Sequence, residues 1–254
     1  MTLAIAHRGD PLRFCENTIP SFRSAVELGA DMVEIDCRAT ADGRVAVVHD
    51  PTLSRLWGLD RPVAALTWRE VAALGDPTAR VPQLPEVLAE VEVPLMVDLP
   101  DPDAVEGVLR DVDHAGASAR CLFVGALESL RRVRRLDGRA RIGLTWDLAA
   151  PPGAQLLSEL RIEAFNPYWR LATAGVVAGE HAAGRWVSVW TVDDPRDMVA
   201  CLSLGVDAIV TNDVAAFLEL RRAVPTALGA GRGDGGDAGG ERPGDAGRPS
   251  PAAP

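Results

Sequence analysis

Short apolar runs alternate with longer amphipathic stretches along most of the chain. Runs at 3–7, 32–36, 94–99, 121–124, 141–145, 162–165, 186–191 and 207–211 read as strands. Helical spacing fills the gaps at 21–28, 104–115, 127–136, 154–160, 172–183, 195–204 and 214–222. Strand–helix alternation at this pace implies parallel pairing. Eight such units in the first 224 residues predict an α/β fold of the TIM (β/α)8 barrel type. The alternative is a doubly wound open sheet. Its usual Gly-rich turn after the first strand is replaced by His7-Arg8-Gly9-Asp10, with no G-x-G-x-x-G.

One gap breaks the pace. Almost sixty residues separate the second and third strands. They hold the hairpin-type turn Asp42-Gly43, the apolar run Val45-Ala46-Val47-Val48 and, at its end, His49-Asp50. A helical pattern follows at 67–74, then the proline-punctuated stretch 81–85. An insertion of this length in a barrel is expected over the active-site mouth. The pattern also stops near residue 224. Residues 225–254 contain nine Gly, six Ala and five Pro, and are expected to be a disordered tail separate from the 1–224 domain.

Charge narrows the partners. All 26 basic residues are Arg, against 36 acidic ones, for a net charge of −10. An acidic surface argues against nucleic acid or an anionic membrane as a main partner. The uncharged run at 148–158 is far too short to span a bilayer, so no stable membrane insertion is expected. The four cysteines form no C-x-x-C pair and read as buried thiols in a reducing cytosol. With no signal-peptide pattern, the expected compartment is the cytoplasm. Nothing in the pattern specifies an oligomeric state.

The second strand carries the first candidate chemistry. Strand side chains alternate, so Glu34 and Asp36 share a face. Two carboxylates at the end of a buried strand repel each other, and a divalent cation resolves the conflict. Hard oxygen ligands point to Mg²⁺ or Ca²⁺ rather than Zn²⁺. His7 ends the first strand and His49 ends the hairpin run, both at positions where barrels carry catalytic groups. Two histidines beside a metal suit general acid/base work near neutral pH. Arg8 offers a planar cation to a phosphate. Trp190, at the end of the seventh strand, is expected as an apolar pocket wall. His114 and His181 fall in helical stretches and are read as structural. Thr18 or Asn17 is expected to cap the first helix, with Pro20 in its first turn.

These motifs together resemble the glycerophosphodiester phosphodiesterase family. They are His7-Arg8-Gly9, Glu16-Asn17-Thr18, Glu34-x-Asp36, Thr40-x-Asp42-Gly43, His49-Asp50-Pro51-Thr52-Leu53, Trp190-Thr191-Val192-Asp193 and the 205–211 stretch. The resemblance runs from residue 3 to about residue 222. It implies a (β/α)8 barrel and metal-dependent hydrolysis of glycerophosphodiesters to glycerol 3-phosphate and an alcohol such as choline or ethanolamine. It places the paired histidines on His7 and His49, with acid and base left unassigned, and the metal carboxylates on Glu34, Asp36 and Asp98. The family's usual Glu-x-Lys reads Asp98-Leu99-Pro100 in this chain, which has no Lys. Arg38, two residues past Asp36, becomes the candidate for the missing charge, joining Arg8 and Trp190 as substrate-binding residues. The Ser-Phe common after the fourth strand is replaced by Gly125-Ala126. By the same resemblance the nucleophile is the neighbouring glycerol hydroxyl, giving a cyclic phosphate that water opens. Two alternatives accompany this expectation: a non-catalytic barrel binding a phosphorylated ligand, and a lysophospholipase-D-type activity. The second needs a hydrophobic mouth, hinted at by Leu56-Trp57-Gly58-Leu59.

Overall fold

The computed structural model describes residues 1–76 and 79–223, so the expected tail lies outside the described residues. β1 (Leu3–His7) leads through α1 (Ile19–Leu28) to β2 (Met32–Ala39), and β3 (Val45–Val47) turns back on β2. The rest of the insertion holds β4 (Thr52–Leu53), α2 (Ser54–Trp57), β5 (Leu59–Pro62) and α3 (Trp68–Ala72). α4 (Leu84–Glu90) then restores the alternation. It continues with β6 (Leu95–Leu99), α5 (Val105–His114), β7 (Cys121–Gly125), α6 (Leu127–Leu136), β8 (Arg141–Trp146) and α7 (Ala154–Leu160). It ends with β9 (Ala164–Pro167), α8 (Ala174–Ala182), β10 (Trp186–Val189), α9 (Pro195–Leu204), β11 (Ala208–Thr211) and α10 (Val214–Ala223).

The main sheet runs β1-β11-β10-β9-β8-β7-β6-β2-β3, and β1 also pairs with β2. That last pairing closes eight parallel strands into a barrel and excludes the open doubly wound sheet. Alternation then sorts the side chains. Ile5, Met32, Met96, Leu122, Val124, Ala208 and Val210 fill the barrel interior. Val33, Ile35 and Cys37, on the other face of β2, join the larger layer beneath the helices. Glu34 and Asp36 therefore continue the inward face of Met32. Register brings their neighbours level, with His7 beside Glu34 and Asp36 beside Asp98.

The insertion has its own small core of Ala46, Val48, Leu53, Val63, Leu66, Val71 and Val81. Trp57 and Leu59 pack against that core, so they are not part of a hydrophobic mouth as the sequence hinted. The 81–85 stretch is not simply a proline-rich link: α4 starts within it. Pro85 occupies the first turn, where its missing N–H has no intrahelical role, and Glu86 accepts a bond from the Gln83 N–H at 2.7 Å. All four cysteines are free thiols, with Cys37, Cys121 and Cys201 buried. Among the described residues no helix is long and apolar enough to cross a membrane.

Candidate active site

A cavity of about 670 Å³ opens at the C-terminal ends of the strands. His7, Arg8, Glu34, Asp36, His49 and Asp98 line one side; Trp146, Leu148, Trp190 and Val210 are among the apolar residues lining it. Of the residues expected from the sequence, only Arg38 fails to line it. A groove of similar size, about 650 Å³, lies beside α5 and α6 and holds none of these groups.

The turn after β1 is sharply constrained. Arg8 and Gly9 adopt φ of +59° and +91°. A side chain at position 9 would put its Cβ 2.3 Å from Ser21 Oγ and 2.7 Å from the Ser21 carbonyl carbon, so only glycine fits against α1. The turn aims the Arg8 N–H at Glu34 Oε2, 3.0 Å away. The Arg8 guanidinium bonds Glu16 at 3.0 Å, and its Nε lies 3.2 Å from Asp36 Oδ2. That Nε is buried and off the line of a hydrogen bond, which leaves a donor facing the carboxylates.

One oxygen from each of Glu34, Asp36 and Asp98 lies within 4.8 Å of the others. Glu34 and Asp36 are 5% and 1% exposed. Burial, then the neighbouring Asp36 and Asp98 charges, holds the Glu34 carboxyl well above the usual range. Burial and then Asp36 push Asp98 up to about 6. Asp98 Oδ1 is buried and has no hydrogen-bond partner among the described residues. Three crowded hard-oxygen donors with one orphaned lone-pair site fit a divalent cation such as Mg²⁺ or Ca²⁺. Asn17 steadies the group, donating from Nδ2 to Asp36 Oδ2 at 2.7 Å while its Oδ1 accepts the Asp36 N–H at 3.3 Å. Thr18, not Asn17, caps α1, accepting from the Ser21 N–H.

The two histidines are held differently. His7 Nδ1 is 2.9 Å from Asn212 Oδ1. Asn212 Nδ2 donates to Asp193 Oδ2 at 2.8 Å, which fixes the amide with its oxygen toward His7. His7 Nδ1 is then the donor, and Nε2 faces Glu34 at 4.0 Å. Burial, followed by the Arg8 charge, lowers the His7 pKa. His49 Nδ1 instead meets a carboxylate, Asp50 Oδ1, at 2.8 Å. A hydrogen bond from Arg55 leads in lowering Asp50 to about 2, so it stays ionised.

Arg38 turns away from the cavity. Its Nε donates to the His49 carbonyl at 2.7 Å, and its Nη1 pairs with Asp101. Beyond Asp36, β2 pairs with β3, which takes Arg38 out of the barrel register. Trp190 forms the expected wall, with Nε1 donating to the Asn166 carbonyl at 2.8 Å and its ring edge-on to Tyr168. Asn17, Asp50, Arg55, Asp193 and Asn212 escaped the sequence reading as site residues. The available signal was position: Asp193 and Asn212 follow the C-terminal ends of β10 and β11, and Asp50 follows a candidate histidine.

The profile of the Glycerophosphoryl diester phosphodiesterase family matches residues 7–216. A protein of Caldanaerobacter subterraneus subsp. tengcongensis named glycerophosphodiester phosphodiesterase is 30% identical over 239 residues, 87% of this chain and 98% of that protein. A solved Oleispira antarctica phosphodiesterase, in complex with the product sn-glycerol-3-phosphate, superposes with a TM-score of 0.80 at 21% identity, covering 87% of this chain and 97% of that one. A Thermotoga maritima glycerophosphodiester phosphodiesterase superposes with a TM-score of 0.77 at 24% identity, covering 87% and 99%. At these identities the two solved structures establish likeness of fold.

Proposed function

This chain belongs to the glycerophosphoryl diester phosphodiesterase family and is a phosphoric diester hydrolase, and from that premise we propose that it cleaves glycerophosphodiesters with His7 as general base and His49 as general acid beside a divalent cation. The carrying observation is the different partner at each Nδ1: a neutral amide for His7 and a carboxylate for His49. The amide holds His7 with Nδ1 as donor and Nε2 free to accept a proton; the ionised Asp50 accepts from His49 Nδ1, which orients that ring to hand a proton on through Nε2.

Glu34, Asp36 and Asp98 would hold the cation. When bound it supplies countercharge and polarises a phosphoryl oxygen. Arg8 lines the same cavity and takes the phosphate charge there, as the sequence led one to expect of it, without the help expected of Arg38. His7 Nε2 takes the proton of the neighbouring glycerol hydroxyl as its oxygen bonds to phosphorus. The bond from phosphorus to the departing alcohol breaks, and the His49 proton goes to that oxygen. In the second step His49 removes a proton from water as the water oxygen bonds to phosphorus. The bond from the ring oxygen to phosphorus breaks, and His7 returns a proton to that oxygen. The products are glycerol 3-phosphate and the free alcohol.

The test is release of glycerol 3-phosphate from glycerophosphocholine with added Mg²⁺ or Ca²⁺ and with a chelator. Metal-dependent release supports the reading. Binding of metal and glycerol 3-phosphate without any turnover favours a binding-only barrel. The apolar wall, with Leu148 58% exposed at its rim, favours a second reading in which a lysolipid supplies the phosphodiester. A higher kcat/KM on lysophosphatidylcholine than on glycerophosphocholine would decide for it.

A further inference from the structure

We propose that Arg55 is a positioning residue for His49: its guanidinium locks the Asp50 carboxylate that orients the His49 ring and ties it to Glu16 on the loop between β1 and α1. The proposal rests on the reading of His49 as proton donor to the departing alcohol.

His49 sits at the rim with its side chain 42% exposed, so packing alone holds its ring loosely. Its orientation depends on the Nδ1 bond to Asp50. The Asp50 carboxylate is in turn gripped at both oxygens. Arg55 Nε donates to Oδ2 at 2.6 Å and Nη2 to Oδ1 at 3.1 Å. The same guanidinium grips Glu16, through Nη2 to Oε1 at 2.7 Å and Nη1 to Oε2 at 3.2 Å. Glu16 Oε1 also accepts from Arg8 Nη1 at 3.0 Å. An unbroken line of alternating charge thus runs from Asp36 through Arg8, Glu16, Arg55 and Asp50 to His49.

The geometry requires Arg. A planar fork reaches two carboxylates with paired bonds, whereas a lysine ammonium is a point donor. Arg55 comes from α2, a single turn closed by Gly58 at φ +68°. The insertion therefore supplies the histidine, its carboxylate and the lock on that carboxylate, and fastens all three to the first loop of the barrel. Exposed ion pairs contribute little to overall stability, so the expected consequence of losing this one is misorientation rather than unfolding.

The test compares single turnovers of two diesters of glycerophosphate in the metal-loaded enzyme, read as release of choline or p-nitrophenol, so that only the first step is followed and not the later opening of the ring by water. Glycerophosphocholine needs a proton on its departing oxygen; the p-nitrophenyl ester does not. Arg55→Ala should lower the single-turnover rate on glycerophosphocholine by at least about 10-fold, with substrate affinity held within about 2-fold and the p-nitrophenyl rate within about 3-fold. Arg55→Lys keeps the charge, protects against a folding artefact and should show the same selective loss. His49→Ala should share the selectivity with a larger drop. Equal loss of the first-step rate on both esters in both Arg55 variants, or a loss confined to substrate affinity, overturns the positioning role provided His49→Ala is selective. If His49→Ala itself slows both esters equally, the acid assignment fails, and the positioning role of Arg55 falls with it.

Discussion

The carboxylate triad carries an electrostatic cost at Glu34 and Asp98, and the cost has a sign that can be measured. Asp98, at about 6, lies above its unfolded value of roughly 3.9. The folded protein therefore binds that proton more tightly than the unfolded chain does. Its contribution to stability is present below about pH 4 and is lost as pH rises through about 6. Without metal, the difference in Tm between wild type and Asp98→Asn should fall across that window. Added metal should oppose the fall, because the cation and the proton compete for the same oxygens. A flat difference in chelator would mean that Asp98 is not held protonated by its neighbours. The same repulsion predicts the behaviour of the other pair. Glu34→Gln with Asp36→Asn should abolish the Tm rise caused by divalent metal and leave the metal-free protein no less stable. A much less stable metal-free double variant would show that the two side chains are structural acceptors, Asn17 being the evident donor.

At the scale of the element, the end of β7 shows how a short acid fits where the family carries a longer one. Gly125 adopts φ +117°, and a Cβ there would lie 2.4 Å from Asp98 Oδ1. Gly125→Ala should therefore cost roughly 1–3 kcal/mol of stability and blunt the metal response, read by thermal unfolding with and without Mg²⁺. The sequence showed Gly125 only as a departure from Ser-Phe; the space it vacates is visible only once β6 and β7 are in register. Period-two alternation on β2 placed Glu34 and Asp36 correctly because the barrel enforces it. It failed at Arg38, where β2 leaves the barrel to pair with β3. α4 was hidden for a related reason: Pro82 and Pro85 read as breakers, although Pro85 sits in the helix's first turn, which accepts it. The insertion's carboxylate lock was equally hidden, since Glu16 and Arg55 are 39 residues apart and meet only in three dimensions.

At the scale of the whole molecule, the repeating pace of strands and helices foretold the barrel, and the β1–β2 pairing completes it. That closure brings His7, from the first strand, to the same cavity as His49, from the insertion. Motif order made both histidines legible. Their unequal surroundings were not, because Asn212 lies more than two hundred residues from His7 along the chain. The proposed chemistry requires the two rings to work as a pair while the carboxylates hold the metal independently. The decisive measurement is kcat on glycerophosphocholine for His7→Ala, His49→Ala and the double variant, alongside metal affinity by calorimetry. Each single variant should lose at least about 10²-fold in kcat, the double should be little worse, and metal affinity should stay nearly constant. Near-full activity in either single variant, or losses that multiply in the double, would contradict the paired mechanism.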